Sequence, residues 1–244
     1  MRPRHPLRRG TLLATLVLCA SLVTSGLFAG TSTAATSKTT TPPTGVAGAR
    51  SQLAAAIAVR QVALRRVLGA AGSSKTIVPD NQAMLTALLT QALTGMNALA
   101  AKVPSDTTQE EVAADQTAMV QDYRVLALQV PAADMVLAAD FSASIEAQMS
   151  ARVPGIQSAL APAANQASPV PATVKSAFTD FQRQLAAAES ATAGVSSSLL
   201  ALLPESYPSN QGVLTSARSD LANARRDLGL AVTDLDTIVT HVHH

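Results

Sequence analysis

Apolar residues recur along this chain at spacings of three and four, the mark of helices that bury one face. No stretch alternates apolar and polar residues for long enough to read as a strand. The most regular run is Val174, Phe178, Phe181, Leu185, Ala188, Thr192, Val195, Leu199 and Leu202. After "PESYPSNQG", Pro204 to Gly212, a second run follows: Leu214, Ala217, Leu221, Ala224, Leu228, Ala231, Leu235 and Ile238. Two heptad stripes joined by a short turn predict an antiparallel hairpin with coiled-coil-like packing. At 1.5 Å per residue its helices would be roughly 40 Å long.

Upstream, the first predicted helix covers Val46 to Ala71, with Leu53, Ile57, Leu64 and Leu68 on one side and Gly72 as a left-handed C-terminal cap. The second runs from Pro79 to about Lys102, faces inward with Leu85, Leu89, Ala92, Met96 and Leu99, and is stopped by Pro104. The third starts in "SDTTQEE", where Thr107 with Glu110 and Thr108 with Glu111 both have capping-box spacing. Its stripe is Val112, Gln116, Met119, Tyr123, Leu126 and Val130, and Pro131 breaks or kinks the chain. A fourth continues toward Asn165, with Phe141, Ile145, Met149, Ile156 and Leu160 inward and a kink at "VPG", Val153 to Gly155. "NQASPVP" is the next loop. The predicted fold class is all-α. It is an elongated antiparallel helical bundle, with N-terminal helices over 46–165 and a coiled-coil-like C-terminal hairpin over 166–244 packed on it or extending it. Layers of Ala let helix axes approach closely where aromatic bulk is scarce.

The N-terminus follows a different pattern. Arg2, Arg4, His5, Arg8 and Arg9 form a basic head, Thr11 to Gly30 is apolar and uncharged, and small residues follow in "TSTAA". This predicts a signal peptide over 1–34, cleaved after Ala34 or Ala35. An apolar run of roughly 20 residues also suits an uncleaved membrane anchor, and both readings stand. "LVLC" resembles a lipoprotein box, although Leu18 directly before Cys19 fits it poorly. Residues 35–45, rich in Thr, Ser and Pro, are expected to form a disordered linker.

Cleavage would change the charge. The full chain carries a formal +2, but removing Arg2, Arg4, Arg8 and Arg9 from the 18 basic residues leaves 14 against 16 acidic ones, a formal −2. The positive balance therefore gives no support for nucleic-acid binding. Cys19 is the chain's one cysteine and would leave with the signal, so the exported body would have neither disulfide nor thiol chemistry.

Two stretches resemble a group of actinobacterial secreted or surface proteins rich in Ala, Thr and Asp. They are "MVQDYRVLALQVPAADMVLAAD", Met119 to Asp140, and "LLALLPESYPSNQGVLTSARSDLANARRDL", Leu199 to Leu228. The first is carried by Asp122, Tyr123, Arg124, Val125, Leu128 and Pro131, with Leu126 where the group's pattern has an aromatic residue. The resemblance implies export and an all-helical fold, and it brings no catalytic residues with it.

Candidate chemistry is sparse. Of four histidines, His5 lies in the signal and His241, His243 and His244 end the chain, so the body lacks the imidazole that Ser-His-Asp, Cys-His and helical zinc sites require. "HVHH" places His241 and His244 on one helix face, where they could bind a metal weakly, or simply form a frayed tail. Glu110 and Glu111 form a carboxylate pair, but at a helix start acids serve the dipole and the cap. Sugar chemistry would want aromatic surfaces, and the chain has no Trp, two Tyr and four Phe. No cofactor or metal is expected, and no catalytic residue is assigned.

Two features remain. Asp122, Tyr123 and Arg124 form a polar contact point, or a packed tyrosine flanked by two charges. Near the C-terminus an Asp-Leu pair recurs every seven residues. With Leu221 and Leu228 at position a, Asp220, Asp227 and Asp234 fall at g, and Arg218 and Arg225 at e. Acids then line one edge of the seam and arginines the other, as coiled-coil flanks do. Aspartates seven apart are also about 10 Å apart along a helix, too far for one ion to bridge. Asp115 and Asp122 repeat that spacing in the third helix. Val232 replaces arginine in the last repeat, which leaves an uncharged edge where another surface could bind. The expected function is that of an exported, non-enzymatic bundle protein at the bacterial cell envelope, contacting an envelope protein or wall polymer. The alternative is an extracytoplasmic carrier of an apolar small molecule between its helices.

Overall fold

The computed structural model describes residues 45–161 and 169–242. The expected signal peptide, nearly all of the linker, part of the loop after the fourth helix, and His243 and His244 lie outside the described residues. Among the described residues the chain is all-α: α1 Val46–Ser73, α2 Pro79–Lys102, α3 Gln109–Gln121, α4 Val130–Ser150, α5 Val153–Leu160, α6 Ala172–Thr192, α7 Val195–Leu200 and α8 Gln211–Val242.

α1 and α2 run antiparallel, pinned along their length by side-chain bonds. Gln82 Nε2 donates to the Ala71 carbonyl at 2.7 Å, Gln61 Nε2 to Asn97 Oδ1 at 2.9 Å, and Arg50 to the Pro104 carbonyl at 2.9 Å. α2 buries the five residues its pattern predicts. α1 buries Leu53, Ile57 and Leu64 as expected, then Val67 and Ala71, while Leu68 is half-buried. Gly72 is not the expected left-handed cap. The helix continues to Ser73 and ends on an extended Ser74, whose amide bonds the Ala70 carbonyl at 3.0 Å. The Ser74 hydroxyl then accepts from the Thr76 and Ile77 amides, so serine chemistry ends the helix.

Two other expectations are corrected. Helix α3 stops at Gln121, well before Pro131, because Arg124 takes a left-handed conformation (φ 45°) that no α-helix contains. A π-turn, Val125–Gln129, restarts the chain, and Pro131 falls in the first turn of α4, where its missing N–H costs nothing. The break shifts the phase. Beyond it Val125 and Leu128 are buried and the predicted Leu126 is exposed; within α3 itself Val112, Asp115 and Met119 are buried and the predicted Gln116 is exposed. Likewise the long fifth stripe is two helices. Gly194 (φ 72°) separates α6 from α7, and only glycine adopts that conformation without strain. The predicted break near Val153 is present, with Pro154 opening α5.

Among the described residues α6 and α8 form the most extensive helix pair, joining Phe181, Leu185 and Ala188 to Ala224, Leu228, Ala231 and Leu235. The buried residues fall into two clusters. One joins α1, α2, α3, the first part of α4, α7 and the start of α8 through Leu214, Ala217 and Leu221. The other joins the end of α4, through Ile145 and Met149, to α6 and the rest of α8. α4 and α8 therefore run through both. Among the described residues two stretches, Pro79–Ser105 and Gln109–Leu160, are long and apolar enough to cross a membrane, and within the fold both contribute residues to the first cluster.

Candidate functional site

The Asp122–Arg124 corner follows directly from the end of α3. Asp122 bonds back to the Ala118 carbonyl at 3.0 Å and its side chain is exposed. Tyr123 is half-buried and lays its ring on α2 at Gly95, where a Cβ would sit 2.1 Å from Cε1 and 2.5 Å from the hydroxyl oxygen. Only glycine admits the ring at that distance. Arg124 turns the other way, with its guanidinium 5.0 Å from the centroid of the Tyr207 ring, a cation–π contact. Its Nε is buried without a hydrogen-bond partner. Tyr207 belongs to the "PESYPSNQG" turn, in which the Tyr207–Pro208 peptide is cis. The corner thus ties the two sequence stretches singled out above to each other and to α2.

A third residue of the first stretch is more deeply placed. Asp140 is 6% exposed and accepts four hydrogen-bond contacts from three residues: the Val78 amide at 2.9 Å, Asn81 Nδ2 at 3.1 and 3.0 Å, and Ser196 Oγ at 2.7 Å. Val78 is the N-cap of α2, so a carboxylate on α4 caps another helix and holds α7 as well. Sequence reading passed over it. The available signal was an acid in the buried phase of α4, seven residues after Ala133 and four after Val136.

Along the hairpin seam Asp227 is buried, Asp220 and Asp234 are half-buried, and Arg218 and Arg225 are exposed. Asp227 Oδ1 accepts from Arg226 at 3.0 and 3.1 Å, so its cation is a sequence neighbour on the same helix. Asp234 lies near Asp180, Arg183 and Gln184 of α6. Burial, then the Asp180 charge, raises its pKa, while Arg183 and a bond to Gln184 oppose the rise. Asp234 therefore faces α6 across the seam, and Arg183 of α6 also feels the charge of Asp227. Val232 is half-buried against the second cluster, so the edge expected to be open is turned inward, and the exposed apolar neighbour is Leu230.

The other acids of the N-terminal half have separate tasks. Thr108 and Glu111 make the capping box. Thr108 Oγ1 accepts from the Glu111 amide at 3.2 Å, and Glu111 Oε2 accepts from the Thr107 and Thr108 amides at 2.6 and 3.0 Å. These bonds hold the Glu111 pKa below its ordinary value. Asp115 is buried against Lys102, whereas Asp122, seven residues on, is exposed beyond the helix end. His241 is half-buried in the last turn of α8. Among the described residues no three His, Cys, Asp or Glu side chains gather as metal ligands.

A cavity of about 40 Å3 lies between α2, α4 and α7, walled by Leu85, Leu89, Val136 and Leu199 among others, with Gln129 at its edge. Gln129 Oε1 is buried without a partner.

Fold and site together define an all-α bundle whose buried polar groups join helices. No protein-family model, no curated protein and no solved structure matches this chain.

Proposed function

We propose that this protein is exported and works at the bacterial cell envelope without catalysing a reaction, through contacts with an envelope protein or wall polymer. The observation that carries the reading is how the buried acids are used. Asp140 holds α2 and α7, Asp115 meets Lys102, and Asp227 meets Arg226. Each is buried and spent on a partner within the helical body. The basic head, apolar run and small-residue site at the N-terminus support export, and the resemblance to actinobacterial secreted proteins supports the envelope.

The carrier reading has a specific place in the molecule, the cavity beside Gln129. Its volume of about 40 Å3 is far below the roughly 300–1,000 Å3 of ordinary ligand pockets, which favours the contact reading over it. Crosslinking in intact cells, followed by mass spectrometry, tests the proposal. Crosslinks from the folded body to an envelope protein or to a wall fragment are the expected result. Recovery of the chain uncrosslinked and in the cytosolic fraction would overturn it. A co-purifying apolar molecule seen by native mass spectrometry would turn the assignment to a carrier.

A further inference from the structure

Where α2 ends, the chain makes a short 3-10 turn, Val103–Ser105, and buries two carboxylates against each other. Asp106, just after the turn, is 3% exposed, and so is Asp115 in α3. Each has one oxygen, Oδ2, that is buried and meets no hydrogen-bond donor. The other Asp115 oxygen is held by Lys102 Nζ. The two carboxyls lie within hydrogen-bonding reach of each other. Other charges from the surrounding elements have their own partners. Arg50 of α1 bonds the Pro104 carbonyl, and Glu111 of α3 bonds the Thr107 and Thr108 amides. One ammonium therefore serves two buried carboxylates.

We propose that Asp106 holds a proton that it donates to Asp115, and that its loss loosens the α2–α3 turn, so that this corner of the bundle is locked while Asp106 is protonated and released as pH rises through its titration. Two anionic carboxylates in contact have no hydrogen between them and repel. A proton on Asp106 removes one charge and supplies the donor that the buried oxygens lack, as in paired carboxyls generally. Lys102 then balances the remaining charge, on Asp115. When the proton departs to solvent, both carboxylates are charged, the ammonium can neutralise one, and the other stays buried without compensation. Burial, and after it the Asp115 charge, raises the Asp106 pKa, while Lys102 opposes the rise. The linkage sign follows. A raised folded-state pKa gives stability that is complete below the unfolded carboxyl value and is lost as pH climbs through the folded one.

The test uses the full-length chain and its Asp106→Asn variant. Asparagine cannot ionise and keeps an N–H to donate to Asp115, so it mimics the protonated state at every pH. Carboxyl NMR of aspartate-labelled protein should show Asp106 titrating above the exposed aspartates. In urea unfolding, the wild type should lose stability relative to Asp106→Asn as pH rises through that titration, by tenfold in the unfolding constant for each unit of displacement. Amide exchange at Val103–Ser105 and Gln109–Val112 should then be faster in the wild type than in the variant at the same pH. Comparing the two proteins cancels the contribution of Asp234, whose raised pKa is common to both. An ordinary Asp106 titration, a stability difference that does not change with pH, or a variant less stable than wild type above the titration would each overturn the proposal.

Discussion

At Gly95 a missing Cβ decides how near the Asp122–Arg124 corner comes to α2. The Tyr123 ring occupies the space a methyl group would need. Gly95→Ala should therefore destabilise the protein by about 1–3 kcal/mol, the usual cost of overpacking. This outweighs the gain of roughly 1 kcal/mol in helix propensity that alanine brings elsewhere. Tyr123→Ala should cost a few kcal/mol through the cavity it leaves, about 3 for an aromatic of this burial. The double variant should cost less than the two single costs added, because the clash needs both partners. Additive costs in thermal melting would mean the ring does not sit on Gly95. Asp140→Ala strands the Val78 amide, the Asn81 amide and the Ser196 hydroxyl at once, and should cost about 3 kcal/mol. An unchanged melting temperature would show that water replaces the carboxylate there. Neither residue stood out in the sequence. Gly95 looked like one small residue in an Ala-rich helix, and Asp140 like the last residue of the stretch from Met119. Their partners lie 28 residues away for Gly95 and 56 to 62 residues away for Asp140, so no local pattern points to them.

At the scale of the element, periodicity was a good guide until a single backbone conformation ended a helix inside a continuing stripe. α2 and α8 bury the residues their spacing names because nothing interrupts them. α3 departs at Arg124 and α6 at Gly194, where one left-handed residue interrupts the helix while the apolar count still runs on. A non-glycine residue in that region costs on the order of 1 kcal/mol, and at Arg124 the contact with Tyr207 opposes that cost. The start of α3, by contrast, was legible as spacing alone, since a capping box is a local motif and Thr108 and Glu111 form it. Thr108→Ala should lower stability by about 1 kcal/mol. Glu111 adds a pH dependence of known sign. Its folded-state pKa lies below the unfolded one, so its contribution is present above the unfolded value and is lost as pH falls through the folded value. Wild type and Glu111→Gln should therefore converge in urea midpoint on acidification and separate at neutral pH. A gap that widens in acid would contradict the box.

For the whole molecule, the division of the sequence at about residue 165 does not follow the lines along which the buried residues gather. α7 and the start of α8 pack into the cluster of α1–α4, while the end of α4 packs into the cluster of α6 and α8. Sequence reading took 166–244 as a unit because its two stripes are the most regular. It could not show that α8, about 48 Å long for its 32 residues, outreaches α6 and enters the other cluster. The consequence is mechanical: α4 and α8 cannot unfold in one cluster while staying intact in the other, so the two should melt together. The chain makes this easy to measure. It has no Trp, and its two tyrosines, Tyr123 and Tyr207, both pack against the first cluster. Tyrosine emission therefore follows that cluster alone, whereas far-UV circular dichroism follows every helix. Phe181 is fully buried in the second cluster. Phe181→Ala should cost about 3–5 kcal/mol. In one cooperative unit it should shift the emission and dichroism midpoints equally, although the substitution lies in the cluster without tyrosine. If the dichroism splits into two steps and the tyrosine midpoint stays where it was, α4 and α8 join two independently folding bodies.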